Sequence, residues 1–263
     1  AGKELATKGT SYRQWAECIK EYASTHDTER EYWFNVLSDY AAESLQALVP
    51  RAQVENHASF SLSEEETSLL LRACNKTYHT EINDILLTAL GYALAEITGN
   101  KVNHIVLEGH GREEIDPQID ITRTLGWFTT MYPVRLELKD ELGESIKNVK
   151  ETLRQIPNKG IGYGALNGYL TQDLPRIAFN YLGQFDGERE QKLGKEQEQK
   201  WSFAGEGGGT AIHSRNKDTN VININGVVLN SKLHFNITSC LEEKTVSHFL
   251  NLLHNYTQKL TTY

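Results

Sequence analysis

Along the chain, apolar positions switch repeatedly between helical and strand spacing. Ser11 to Tyr22 gathers Trp15, Cys18, Ile19 and Tyr22 on one helical face, and Asp27 to Leu37 does the same for Tyr32, Trp33, Val36 and Leu37. After a break at Pro50, alternation through Ala58, Phe60 and Leu62 predicts a strand. Ser63 with Glu66 three residues on forms a capping box, so a helix should start there and turn Leu69, Leu70 and Ala73 inward. The strongest helical pattern runs from Thr80 to Thr98. It keeps Ile82, Ile85, Leu86, Ala89, Leu90, Ala93, Leu94 and Ile97 on one stripe, with Gly99 as the stop.

Beyond it, Ile105-Val106-Leu107 is short, apolar and β-branched, which suits a strand covered on both faces. Tyr132 to Leu138 alternates as a second strand, and Ser145 to Gln155 is an amphipathic helix ended by Pro157. Gly160, Gly162, Gly164 and Gly168 lie close together without the spacing of a phosphate loop, and predict a bend. Arg176 to Leu182 predicts a strand carrying Asn180 and Tyr181, with a turn over Gly183 to Gly187. Charge and glutamine dominate Glu188 to Lys200, and glycine dominates Gly205 to Gly209, so this stretch predicts a mobile loop. Val221 to Leu229 and Lys232 to Ser239 predict a hairpin turning at Asn230-Ser231. A final helix, Glu242 to about Leu260, buries Val246, Phe249, Leu250, Leu253 and Tyr256. Helices and strands interleave without a strict βαβ rhythm, which predicts an α/β sandwich on a mixed sheet.

Composition narrows the function. The 263 residues are 39% hydrophobic, enough for one large core or two small ones. With 27 basic against 35 acidic residues the net charge is −8, which disfavours a nucleic-acid or anionic-membrane surface. No run is long and apolar enough to span a membrane. Cys18, Cys74 and Cys240 lack metal-ligand or redox spacing and fit buried thiols in a reducing cytoplasm. The chain opens on Ala1 in a polar segment, which reads as the interior of a longer protein.

The richest chemistry sits at Leu107-Glu108-Gly109-His110-Gly111-Arg112-Glu113, where an apolar strand meets ionisable side chains flanked by glycine. Gly109 and Gly111 permit a tight turn, so Glu108, His110 and Arg112 are expected to converge at the strand end. The bland alternative is a surface turn that carries charges.

That stretch is one of several that stand together. Thr80-Glu81-Ile82-Asn83-Asp84-Ile85-Leu86-Leu87, Glu108-Gly109-His110-Gly111-Arg112-Glu113, Arg123-Thr124-Leu125-Gly126-Trp127-Phe128-Thr129-Thr130-Met131-Tyr132-Pro133, Pro157-Asn158-Lys159-Gly160-Ile161-Gly162-Tyr163-Gly164 and Phe179-Asn180-Tyr181-Leu182-Gly183-Gln184-Phe185-Asp186 resemble, in order, the later signature motifs of nonribosomal peptide synthetase epimerization domains. The resemblance implies a chloramphenicol acetyltransferase-like two-layer sandwich lobe, a mixed β-sheet with helices packed on it. Residues 1–50 would form an inter-lobe helical segment and residues 51–263 the C-terminal lobe. The family's earlier His-His-x-x-x-Asp-Gly motif is absent, since none of the 9 histidines has a histidine neighbour. The expectation is therefore a C-terminal lobe that folds alone, does not epimerise alone, and presents an apolar patch toward its N-terminal partner lobe.

The implied reaction inverts L to D at Cα of an aminoacyl or peptidyl thioester. The substrate is carried on the 4'-phosphopantetheine of a peptidyl carrier protein domain, and the lobe itself binds no cofactor or metal. Acid-base catalysis of this kind contributes roughly 10²–10⁴-fold and is favoured by a buried Glu. The resemblance makes Glu108 the base or acid and gives Arg112 a supporting role in orienting carboxylates, with an ion pair to Glu113 or Glu114 as the structural alternative. Asn180 would hold the thioester carbonyl and Tyr181 would donate a proton or a hydrogen bond to the enolate, although such a pair on a strand also fits cross-strand packing. His110 reads better as a turn residue capping backbone groups, and Trp127 and Phe128 as core or channel wall. The other readings are an amide-forming condensation-type domain and a non-catalytic module that docks carriers. At −8, carrier docking would rest on a local basic or apolar patch.

Overall fold

The computed structural model describes residues 8–41, 51–77, 79–168, 174–185, 213, 215–216 and 219–263, with backbone only for 51, 53 and 73–77. The chain enters through α1 (Tyr12–Thr25) and α2 (Glu29–Leu37), then β1 (Arg51–Ser61), α3 (Glu64–Thr77), α4 (Ile82–Thr98), β2 (Val102–Gly109) and β3 (Thr130–Glu137). It continues through α5 (Leu142–Arg154), a 3-10 turn over Pro157–Gly160, α6 (Tyr163–Asn167), β4 (Ile177–Gln184), β5 (Ile222–Leu229), β6 (Lys232–Leu241) and α7 (Glu243–Thr261).

Local chemistry sets these boundaries. Ser11 caps α1 in a capping box with Gln14, and the Ser63–Glu66 box opens α3, with Ser63 N donating to Glu66 Oε2 at 2.8 Å and Glu66 N to Ser63 Oγ at 3.2 Å. Gly99 closes α4 in the left-handed region. The hairpin turns at Asn230 and Ser231, both at positive φ as a two-residue primed turn requires. The acidic stretch and glycine cluster between β4 and β5 lie outside the described residues.

The six strands lie in the order β1-β6-β5-β4-β2-β3. The β4 pairings with β2 and β5 are parallel and the remaining pairings antiparallel, so the sheet is mixed, as the patterning predicts. One face carries the core: Phe235, Ile237, Ile224, Phe179, Ile105, Val134 and Leu136 meet Leu86, Leu90 and Leu94 of α4 and Phe249 and Leu253 of α7. Burial on α4 spreads wider than one stripe, taking in Leu87, Thr88 and Gly91, because β-sheet, α5 and α7 surround it. On α3, Leu70 is buried but Leu69 is 44% exposed, which corrects the expectation that both point inward. Cys18 and Cys240 are unpaired and half-buried, not buried as the sequence reading expects.

The helices at the start of the chain are tied to the β3 edge. Trp33 of α2 is 1% exposed and packs on Tyr132 and Tyr163. A smaller cluster joins Trp15, Ile19 and Tyr22 of α1 to Ile121, Phe128 and Ile161. It fixes the connection between β2 and β3 beside the end of β2.

Candidate active site

Side chains alternate along β2, so Glu108 shares a face with His104 and Val106. His104 and Val106 are buried and Glu108 is exposed. The C-terminal end of α2 covers the strand at His104, whose Nε2 lies 3.0 Å from Val36 O and 3.0 Å from Asp39 Oδ1. Glu108 therefore stands at the open end of a strand that is otherwise covered on both sides. Across the antiparallel pair it faces Met131 of β3. On the other side Asn180 Nδ2 of β4 donates to Glu108 Oε2 at 3.1 Å.

The remaining sequence-predicted site residues do not converge with Glu108. Arg112 donates from its two terminal nitrogens to Ile121 O at 2.7 Å and Thr124 O at 3.0 Å, and its Cζ lies 3.9 Å above the centre of the Phe128 ring. The guanidinium thus clamps the β2–β3 connection; it pairs with neither Glu113 nor Glu114, because backbone carbonyls folded back over it already fill its fork. His110 Nδ1 accepts from Arg112 N at 3.0 Å, which leaves Nε2 as the donor toward Glu113 Oε1 at 3.3 Å. This is the capping role read for it in the sequence. Gly111 is indispensable to the turn: at φ 66° an added Cβ would lie 1.7 Å from Phe128 O.

Tyr181 lies on the opposite face from Asn180, because successive strand residues point to opposite sides. It pairs in register with Gly226 and packs against the main core, where burial pushes its hydroxyl pKa up. The expectation that Tyr181 lines the same side as Glu108 is corrected by this two-residue period.

Phe128 is buried, whereas Trp127 is 79% exposed and Leu125 96%, so Trp127 is not core. Tyr12 Oη donates to Trp127 O at 2.7 Å and fixes that tip. Below it a cavity of about 420 Å³ is lined by Trp15 and Ile19 of α1 with Phe128, Met131, Ile161 and Tyr163. Met131 belongs both to this cavity and to the residue pair with Glu108.

The sheet face bearing Glu108 carries a line of polar side chains. Strand register places Glu108, Asn180, Asn225, Asn236 and Ser59 in one row across β2, β4, β5, β6 and β1. Sequence reasoning missed Asn225 and Asn236. Their signal was the apolar-polar alternation of their strands, but only pairing reveals that they extend the line from Glu108.

The condensation-domain family matches residues 1–262. Bacitracin synthase 3 of Bacillus licheniformis is 40% identical over 89% of this chain and 4% of the relative. Gramicidin S synthase 1 of Brevibacillus brevis is 37% identical over 97% of this chain and 25% of the relative. The chain thus spans a quarter or less of the length of these two relatives. Among solved structures, the epimerization domain from the third module of tyrocidine synthetase B superposes with a TM-score of 0.82 at 31% identity, covering 98% of this chain and 61% of that one. The condensation domain of the Monacolin K polyketide synthase MokA shares the fold, with a TM-score of 0.70 at 14% identity over 99% of this chain and 63% of that one.

Proposed function

This chain belongs to the condensation-domain family, and we propose that within it the chain serves epimerization, with Glu108 exchanging the Cα proton of a carrier-bound aminoacyl or peptidyl thioester. The observation that carries the reading is the Glu108 carboxylate, open to solvent at the end of β2 and held by the Asn180 carboxamide. A thioester carbonyl acidifies its neighbouring Cα–H, and a fixed carboxylate within reach accepts that proton. Return of a proton from the opposite side of the resulting planar enolate inverts the centre. That second group belongs to the part of the domain facing Glu108. The ordered motifs from Thr80 to Asp186 and the 31% identity to the tyrocidine epimerization domain support epimerization over amide formation.

In this reading Glu108 is the acid-base residue and Asn180 orients it. Arg112 keeps the β2–β3 connection in place, and Tyr181 supports β4 from the core side. The substrate arrives as a thioester on the 4'-phosphopantetheine of a peptidyl carrier protein domain.

The test is deuterium wash-in at Cα of a carrier-loaded substrate, by the complete domain that carries this chain, with no acceptor present. Exchange supports epimerization. Absence of exchange, with amide formed once an acceptor amine is added, would establish the condensation-type alternative.

A further inference from the structure

The row that starts at Glu108 continues where the proposed reaction leaves off. Asn180 pairs in register with Asn225, Asn225 with Asn236, and Asn236 with Ser59. Asn225, Asn236 and Ser59 are exposed and Asn180 is half-buried. Among the described residues, the helices that pack on these strands do so from the opposite, apolar face.

Resting on the epimerization reading, we infer that this carboxamide row is a track for the peptide backbone of a peptidyl thioester, making peptidyl substrates of several residues the preferred class over single aminoacyl groups. Each Asn offers two N–H donors and a carbonyl acceptor, the complement of a peptide group, and no charge that would select particular side chains. The centres of protein interfaces are enriched in aromatic residues, Met and Arg, and this row has none of them. It also begins at the residue that would hold the reacting Cα, so a chain running on from that Cα is placed over it. Strands lie about 4.8 Å apart, so Glu108 to Asn236 spans roughly 14 Å. That is the reach of about four residues of extended chain at roughly 3.3–3.6 Å each.

The experiment loads the carrier with an aminoacyl group or with a tetrapeptidyl group ending in the same residue, and measures Cα deuterium incorporation by the complete domain. Wild type is compared with Asn225→Ala/Asn236→Ala and with the conservative Asn225→Gln/Asn236→Gln. The double alanine variant should lower the peptidyl-to-aminoacyl ratio of kcat/KM by about ten- to hundredfold, the loss expected for two hydrogen bonds, mostly through KM. The glutamine variant should recover part of that ratio. An unchanged ratio would overturn the inference, and so would an equal loss on both substrates with a lowered Tm, which would assign the row to packing against another part of the domain. Exchange by wild type on neither thioester would overturn the epimerization reading, and this inference with it.

Discussion

Asn180 reaches across the parallel β2–β4 pair to donate to Glu108 at 3.1 Å, and this bond gives the exposed carboxylate a fixed orientation. Asn180→Ala should release that orientation and lower kcat for Cα exchange about tenfold, with carrier affinity retained. An unchanged kcat would remove Asn180 from the positioning role.

Arg112 acts on the same neighbourhood from a distance. Two carbonyl bonds and the Phe128 ring occupy its guanidinium. Arg112→Lys cannot reproduce that planar fork, so it should cost roughly 1–3 kcal/mol in urea unfolding and speed amide exchange over residues 121–128. A variant as stable as wild type would show that the clamp contributes little.

Two glycines at positive φ separate conformational cost from steric cost. At Gly99 (φ 71°) an added Cβ meets nothing within 4 Å, whereas at Gly111 it meets Phe128 O at 1.7 Å. Gly99→Ala should cost about 1–2 kcal/mol, and Gly111→Ala roughly 1–3 kcal/mol more. Equal losses in denaturant titrations would contradict the close approach of the turn to Phe128.

His104 predicts the acid side of stability. Burial holds its imidazole below the ordinary value, against the upward pull of Asp39. A depressed folded-state value means that its contribution is complete above the unfolded value of about 6.5 and is lost as pH falls through the folded value. Asp39 is held low chiefly by the Arg135 hydrogen bond, so its own contribution is lost only further down, below about 4. Unfolding free energy should therefore fall as pH drops below about 6.5, and His104→Gln should flatten that slope. Parallel slopes in the two proteins would contradict the assignment.

Much of this architecture was legible because periodic burial writes itself into sequence. The α4 stripe, the Ser63–Glu66 box and the Asn230-Ser231 turn all appear where the patterning predicts them. Leu69 was misread because neighbouring helical positions differ in facing by 100°, and at the edge of a stripe an apolar residue does not reveal which side it takes. Glu108 was legible as a polar residue closing an apolar strand. What surrounds it depends on pairing between distant segments: the loop carbonyls that draw Arg112 away come from residues 121 and 124, and the partners that extend the row lie on β4, β5 and β6. Asn180 and Tyr181 look equivalent as neighbours in sequence, yet a strand sends them to opposite faces.

In the proposed reaction Glu108 moves the Cα proton. Glu108→Gln keeps an acceptor for Asn180 and nearly the same shape, and removes the charge together with the ability to take up a proton. In the complete domain, deuterium incorporation at Cα of a carrier-bound substrate should fall by at least ~10²-fold in this variant, with carrier binding unchanged. Retention of wild-type exchange by Glu108→Gln would show that another group moves this proton.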